Sequence, residues 1–139
     1  MKKLWNLSKI IVEVVSFKSY TELIKLKTFK ERFEYLKLQG VVGQETFGHD
    51  RYLNQRFYKS KKWIDVREKV ILRDSGCDLG IEGLEIYDNL IVHHINPVKP
   101  EDLALGKPIV FDMDNLITTR LKTHNAIHYG SECPQVKFE

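Results

Sequence analysis

Between residues 92 and 128 the chain reads Val92-His93-His94-Ile95, then Asp114-Asn115-Leu116, then His124-Asn125-Ala126-Ile127-His128. Four of the five histidines fall in this span. Neutral imidazole is the commonest metal ligand, and histidine is the side chain whose ordinary pKa suits proton transfer near neutrality. Imidazoles at i and i+4 of a helix lie one turn apart on one face, so both reach a single ion. Adjacent imidazoles can divide the work, one ligating and the next taking a proton from water. That is the outline of a metal-assisted hydrolase.

The flanking pattern places these groups on short elements. Leu84 to Tyr87 and Leu90 to His93 are strand-like runs on either side of Asp88-Asn89, which predicts a hairpin. Pro97, Pro100, Gly106 and Pro108 mark a loop, with a helical turn over Glu101 to Leu105. Leu116 to Thr119 reads as a short strand, and Thr123 to Tyr129 as a helix. The result is a ββα unit folded around a metal, with His93 closing the set from a strand end. Three protein ligands leave coordination positions open for water or a phosphate oxygen, as a catalytic site requires.

Upstream, Ser19-Tyr20-Thr21-Glu22 and Thr28-Phe29-Lys30-Glu31 are capping boxes, each able to start a helix. The second leads through Phe29, Phe33 and Leu36 to an expected end at Gly40. Ser8 to Phe17 reads as a strand or helix expected to pack on the core, and Gly43 to Gly48 as a turn or loop. Ser60 caps a helix in which Trp63, Val66, Val70 and Ile71 recur at helical spacing, with a stop near Ser75-Gly76.

The net charge of +3 conceals a division. Met1 to Arg73 holds 17 Lys/Arg against 8 Asp/Glu, and Asp74 to Glu139 holds 5 against 11. A basic half joined to a half that holds the candidate site suits a polyanionic substrate. Arg51, Arg56, Lys59, Lys61, Lys62, Arg67, Lys69 and Arg73 crowd one segment against only Asp65 and Glu68. The apolar face of the Ser60-capped helix goes to the core, which leaves Lys59, Lys61, Lys62 and Arg67 for solvent or phosphates and, with Arg56, makes them the candidate contacts to a polyanion.

With 139 residues, 42% of them hydrophobic, the chain suits one soluble domain rather than two. No apolar run approaches a membrane span, and no signal-peptide pattern is present. Cys77 and Cys133 form no C-x-x-C pair and no disulfide framework, so a reduced, cytoplasmic setting is expected.

The motifs resemble those of HNH endonucleases. Phe111-Asp112-Met113-Asp114-Asn115-Leu116 followed by His124 to Gly130 is similar to the end of the nuclease domains of DNase colicins. Phe57-Tyr58-Lys59-Ser60-Lys61-Lys62-Trp63 and Val92-His93-His94-Ile95-Asn96-Pro97 resemble small HNH proteins of tailed bacteriophages and prophages. The resemblance covers residues 57 to 130, and less specifically 28 to 57. It implies an α+β chain: a ββα-metal (His-Me finger) HNH nuclease domain over 57–139, with an N-terminal helical extension over 1–56 packed on it. It implies His94 as general base, with Asn115 fixing the loop and orienting that base. His93, His124 and His128 would hold one divalent ion per chain, with Mn, Ni, Co, Zn and Mg left undecided. It further implies DNA as substrate, phage packaging proteins such as terminase as partners, a monomer, no membrane, and the bacterial host cytoplasm as location.

Two departures stand out. Many such proteins carry Asp where this chain has His93, so an all-histidine site is expected to favour borderline transition metals. Many also hold a structural zinc on two C-x-x-C pairs. The matching positions here are Cys77, Gly80, Arg120 and Thr123, so no structural zinc is expected, and the N-terminal extension is expected to brace the fold instead. The rival readings are a nucleic-acid-binding accessory protein of a packaging machine with weak or no nuclease activity, a structural metal site, and a generic core with satisfied histidines.

Overall fold

The computed structural model describes residues 17–38, 51–80 and 84–130. Most of Ser8 to Phe17, the stretch from Gly43 to Gly48, and the expected helix end at Gly40 lie outside these residues. The elements in order are α1 (Tyr20–Leu23), α2 (Phe29–Leu36), α3 (Arg51–Tyr58), α4 (Lys61–Arg73), β1 (Cys77–Asp78), β2 (Leu84–Glu85) and β3 (Leu90–His94). They continue with α5 (Pro100–Leu105), α6 (Pro108–Phe111), a 3₁₀ turn (Met113–Asn115), β4 (Leu116–Arg120) and α7 (Leu121–Tyr129). The chain is α+β, with two small antiparallel sheets. No helix among the described residues is long and apolar enough to cross a membrane.

The local start signals act as expected. The Ser60 hydroxyl accepts from Trp63 N–H and opens α4, which ends at Asp74 before Ser75 and Gly76 take positive φ. The Ser19 and Thr28 hydroxyls accept from Glu22 and Glu31 N–H. Neither box closes reciprocally. Glu31 accepts from Lys27 N–H, and Ser19 N–H donates to the Tyr35 hydroxyl, joining α1 to α2.

The expected hairpin between Leu84–Tyr87 and Leu90–His93 does not form. β2 pairs with β1, Cys77 opposite Glu85, whereas β3 pairs with β4, from Leu90 opposite Arg120 to His94 opposite Leu116. Asn89 does turn the chain, with φ 47°, but its carbonyl accepts from Leu121 N–H, so the turn delivers β3 to β4. A five-residue partner satisfies more backbone groups than the two-residue β2 can, and decides the pairing. The proline-rich stretch 97–108 also holds two short helices, α5 and α6, each with proline in its first turn, where the missing N–H costs no hydrogen bond.

The β3–β4 ribbon is buried on both faces. Strand alternation puts Val92, His94 and Leu116 on one side, where Val92 and Leu116 join the core of Phe57, Trp63, Val70, Leu103 and Val110. Ile117 lies on the other side, in a second core of Leu23, Leu36, Ile95 and Ile127. That second core joins the N-terminal helices to α7. Arg32 reinforces it by donating to the carbonyls of Leu26 and Leu79, and Leu38 N–H donates to the Ile127 carbonyl.

Candidate metal centre

His93 and His94 are the last two residues of β3, and alternation sends their rings to opposite faces of the ribbon. His93 faces α7, which follows β4 directly and carries His124 and His128 one turn apart. The three rings converge, with centroids 5.3 Å apart for His93–His124, 5.1 Å for His93–His128 and 4.4 Å for His124–His128. One ring nitrogen from each lies within 4.8 Å of the others, a grouping that could hold a metal ion. His93 Nε2, His124 Nδ1 and His128 Nδ1 are buried without a hydrogen-bond partner among the described residues. Buried polar nitrogens are rarely left unpaired, so one such nitrogen on each of three converging rings matches the donor set of a metal rather than that of a packed core.

The electrostatics favour the ligating form. Burial, followed by the neighbouring His124, His128 and His94, holds His93 well below the ordinary histidine value. Burial, with His124 beside it, lowers His128 to about 4. Burial also lowers His124, and the Asn125 side chain, as an acceptor, partly opposes this. All three rings are therefore neutral at pH 7, with lone pairs free for an ion.

His94 is held differently. Its Nε2 lies 2.9 Å from the Val110 carbonyl, so this nitrogen donates and Nδ1 carries the lone pair. Trp63 stacks on the ring at 5.4 Å with 26° between planes. Burial lowers its pKa, and the Val110 hydrogen bond partly opposes this. A neutral ring with a fixed tautomer is the form a general base requires.

Asn115, 1% exposed, ends the 3₁₀ turn before β4. Its Oδ1 accepts from Asn96 N–H and Nδ2–H, both at 2.8 Å, and its Nδ2 donates at 3.3 Å to the carbonyls of Asn96 and Ile109. Its own carbonyl accepts from Ile95 N–H at 2.8 Å. One side chain thus joins the exit of β3 to α6, whose Val110 carbonyl holds His94.

Arg56, Lys59, Lys61 and Lys62 are exposed, and Arg67 is half-buried. Lys62 Nζ sits 4.2 Å from the Phe111 ring centroid, and the next residue, Trp63, covers His94, so the start of α4 flanks His94. Arg73, counted with this basic group from the sequence, serves another purpose. Its guanidinium donates to the Met113 and Leu116 carbonyls and to Asp74, and lies 3.6 Å from the Tyr20 ring centroid. It ties α4 to β4 and is not available to phosphates.

Gly80, Arg120 and Thr123 gather around Asp78, a residue the sequence reading passed over. Its buried carboxylate accepts from Gly80 N–H and the Thr123 hydroxyl, with Arg120 Nε at 3.5 Å. Burial raises its pKa against these stabilising partners. The bonds fasten the first turn of α7, the helix that carries two of the three histidines.

Comparison of the chain with family models, curated proteins and solved structures finds no match. The chemistry of the site therefore rests on its own geometry.

Proposed function

We propose that the protein is a metal-dependent endonuclease of the HNH kind that hydrolyses phosphodiester bonds in DNA. The observation that carries this reading is the pairing of two histidine environments at the end of β3. One side has three converging rings, each with a buried nitrogen that has no partner among the described residues, and the other has a ring whose tautomer is fixed by the Val110 carbonyl. A purely structural metal site has no use for the second ring, and a closed structural site calls for a fourth ligand.

In this reading β3, β4 and α7 form the ββα-metal unit, and His93, His124 and His128 hold one divalent ion per chain. Such an ion, when bound, stabilises charge on the phosphate and on the departing 3′ oxygen. His94 Nδ1 takes a proton from water as the water oxygen attacks phosphorus. The P–O3′ bond breaks and the departing 3′ oxygen takes a proton from solvent water, leaving a 5′ phosphate and a 3′ hydroxyl. Val110 and Trp63 keep the ring aimed, and Asn115 holds the loop that carries Val110. Lys59, Lys61 and Lys62, with Arg56 and Arg67, hold flanking phosphates through charge rather than base readout. DNA is the partner, and a place beside phage packaging proteins in a host cytoplasm fits this chemistry.

The test is a plasmid-cleavage assay with added Mn, Ni, Co, Zn or Mg, each with and without chelator. Metal-dependent conversion of supercoiled plasmid, abolished by chelator, is expected. Absence of cleavage with every ion, by protein shown calorimetrically to bind one, would refute the nuclease reading.

A further inference from the structure

Asn96 has no ligand or base role in the motif that contains it, yet it sits at the mechanical centre of the site. It follows β3 by two residues, and its side chain makes bonds in two directions. Towards the N-terminal segment, Oδ1 accepts from Lys18 N–H at 3.0 Å and Nδ2 donates to the Lys18 carbonyl at 2.6 Å. Towards the site, the same Nδ2 donates to Asn115 Oδ1 at 2.8 Å, and Asn96 N–H donates to that oxygen as well. One amide therefore engages both backbone groups of Lys18 and also Asn115.

The segment has a second attachment at the same place. Thr21 N–H and its hydroxyl both donate to Asp114 Oδ1, at 3.0 and 2.7 Å, one residue before Asn115. Tyr20 between them carries the Arg73 guanidinium on its ring, and Arg73 in turn holds the Met113 and Leu116 carbonyls. Residues 18–21 thus clamp the 113–116 turn through Thr21 directly, through Asn96 by way of Lys18, and through Arg73 by way of Tyr20.

We infer that Asn96 is a positioning residue for His94, and that Lys18 to Thr21 form a clamp built into the site rather than an appended extension. The path is short. Asn96 fixes the Asn115 amide, Asn115 Nδ2 holds the Ile109 carbonyl, and the next residue, Val110, accepts from His94 Nε2. None of these residues is in the His93, His124 and His128 set, so the clamp bears on the base and not on the ion. The catalytic half of this inference rests on the proposed nuclease reading; the clamp itself does not.

Asn96→Asp tests it without a change of volume. The carboxylate still accepts from Lys18 N–H, but it can no longer donate to the Lys18 carbonyl or to Asn115 Oδ1, and places an acceptor against both. Cleavage kcat is expected to fall about 10- to 100-fold, the scale of a small misplacement of a reacting group. KM for DNA and calorimetric metal affinity are expected to stay within about twofold, which a general loss of folding would not allow. Hydrogen exchange of the Asn115 side-chain amide is expected to accelerate in parallel. Wild-type kcat with unchanged Asn115 exchange would overturn the inference. If wild type cleaves no DNA with any metal but Asn96→Asp still frees the Asn115 amide, the nuclease reading fails and the clamp stands. Should Asn96→Asp not fold, Thr21→Val removes the hydroxyl bond of the exposed second attachment and leaves only the Thr21 N–H bond to Asp114 Oδ1. Faster Asn115 exchange with unchanged metal affinity would then support the clamp, and unchanged exchange would overturn it.

Discussion

Lowering the pH on metal-free protein probes the histidine cluster without any assumption about substrate. His128 titrates near 6.5 in the unfolded chain and at about 4 in the fold, because burial and the adjacent His124 disfavour its charge. Between those values the unfolded chain binds a proton that the folded chain refuses. Its stabilising contribution is therefore complete above 6.5 and is lost as pH falls towards 4. At about 1.4 kcal/mol per pH unit of displacement, the ceiling for this ring is about 3 kcal/mol. Solvent reaches the half-buried ring, and screening reduces this to about 1–2 kcal/mol. His93, fully buried and lowered by the same causes, adds a loss of the same sign. Urea unfolding with chelator at pH 7, 6 and 5 measures the sum. His128→Gln isolates one ring, because it leaves the carboxylates unchanged. The wild type is expected to lose more stability than the variant over this range. Saturating divalent ion, worth about 2.7 kcal/mol at a hundredfold its Kd, should offset the loss by holding the rings neutral. Parallel pH profiles for the two proteins would show that the histidines are not buried together as described.

Replacing Lys59, Lys61 and Lys62 by Ala should weaken DNA binding similarly across sequences and flatten the log–log salt slope by up to about 2.7, at about 0.9 per lost phosphate contact. Salt-dependent binding isotherms measure this, and unchanged affinity and slope would make these lysines a solvated face. Gly80→Ala should destabilise the fold by about 1–3 kcal/mol, the usual range for overpacking a filled site. A Cβ there would lie 2.5 Å from Thr123 Cγ2 and 3.2 Å from Asp78 Oδ1, on a β-branched side chain already bonded to that carboxylate. A urea midpoint equal to wild type would contradict the close packing of α7 against this turn.

The parts of the fold legible in the sequence are those set by neighbours in the chain. Ser60, Thr28 and Ser19 announce helix starts because a hydroxyl reaches an N–H three residues away, whatever the rest of the protein does. The spacing of His124 and His128 likewise carries its own geometry. Strand pairing was not legible, because Leu90 to His94 chooses between a near run and Leu116 to Arg120 on tertiary grounds. The roles of Asn96, Asp78 and Arg73 were not legible for a related reason. Each is polar, common in loops or surfaces, and important here only because distant chain supplies its partners: Lys18 for Asn96, Thr123 for Asp78, and Leu116 for Arg73. A satisfied buried polar group leaves no periodic trace in a sequence. An unsatisfied set such as the three histidines does, because the ligand types that bind one ion must recur at fixed spacing.

The division of labour between His94 and the other three histidines is tested most directly by single-turnover cleavage of a defined duplex at saturating metal. Wild type and His94→Ala would be compared, with metal affinity measured on the same preparations. His94→Ala is expected to bind the ion as wild type does and to cleave at least about 10²-fold more slowly, the usual cost of a lost general base. Equal cleavage rates at equal metal occupancy would contradict the assignment of His94 as the base.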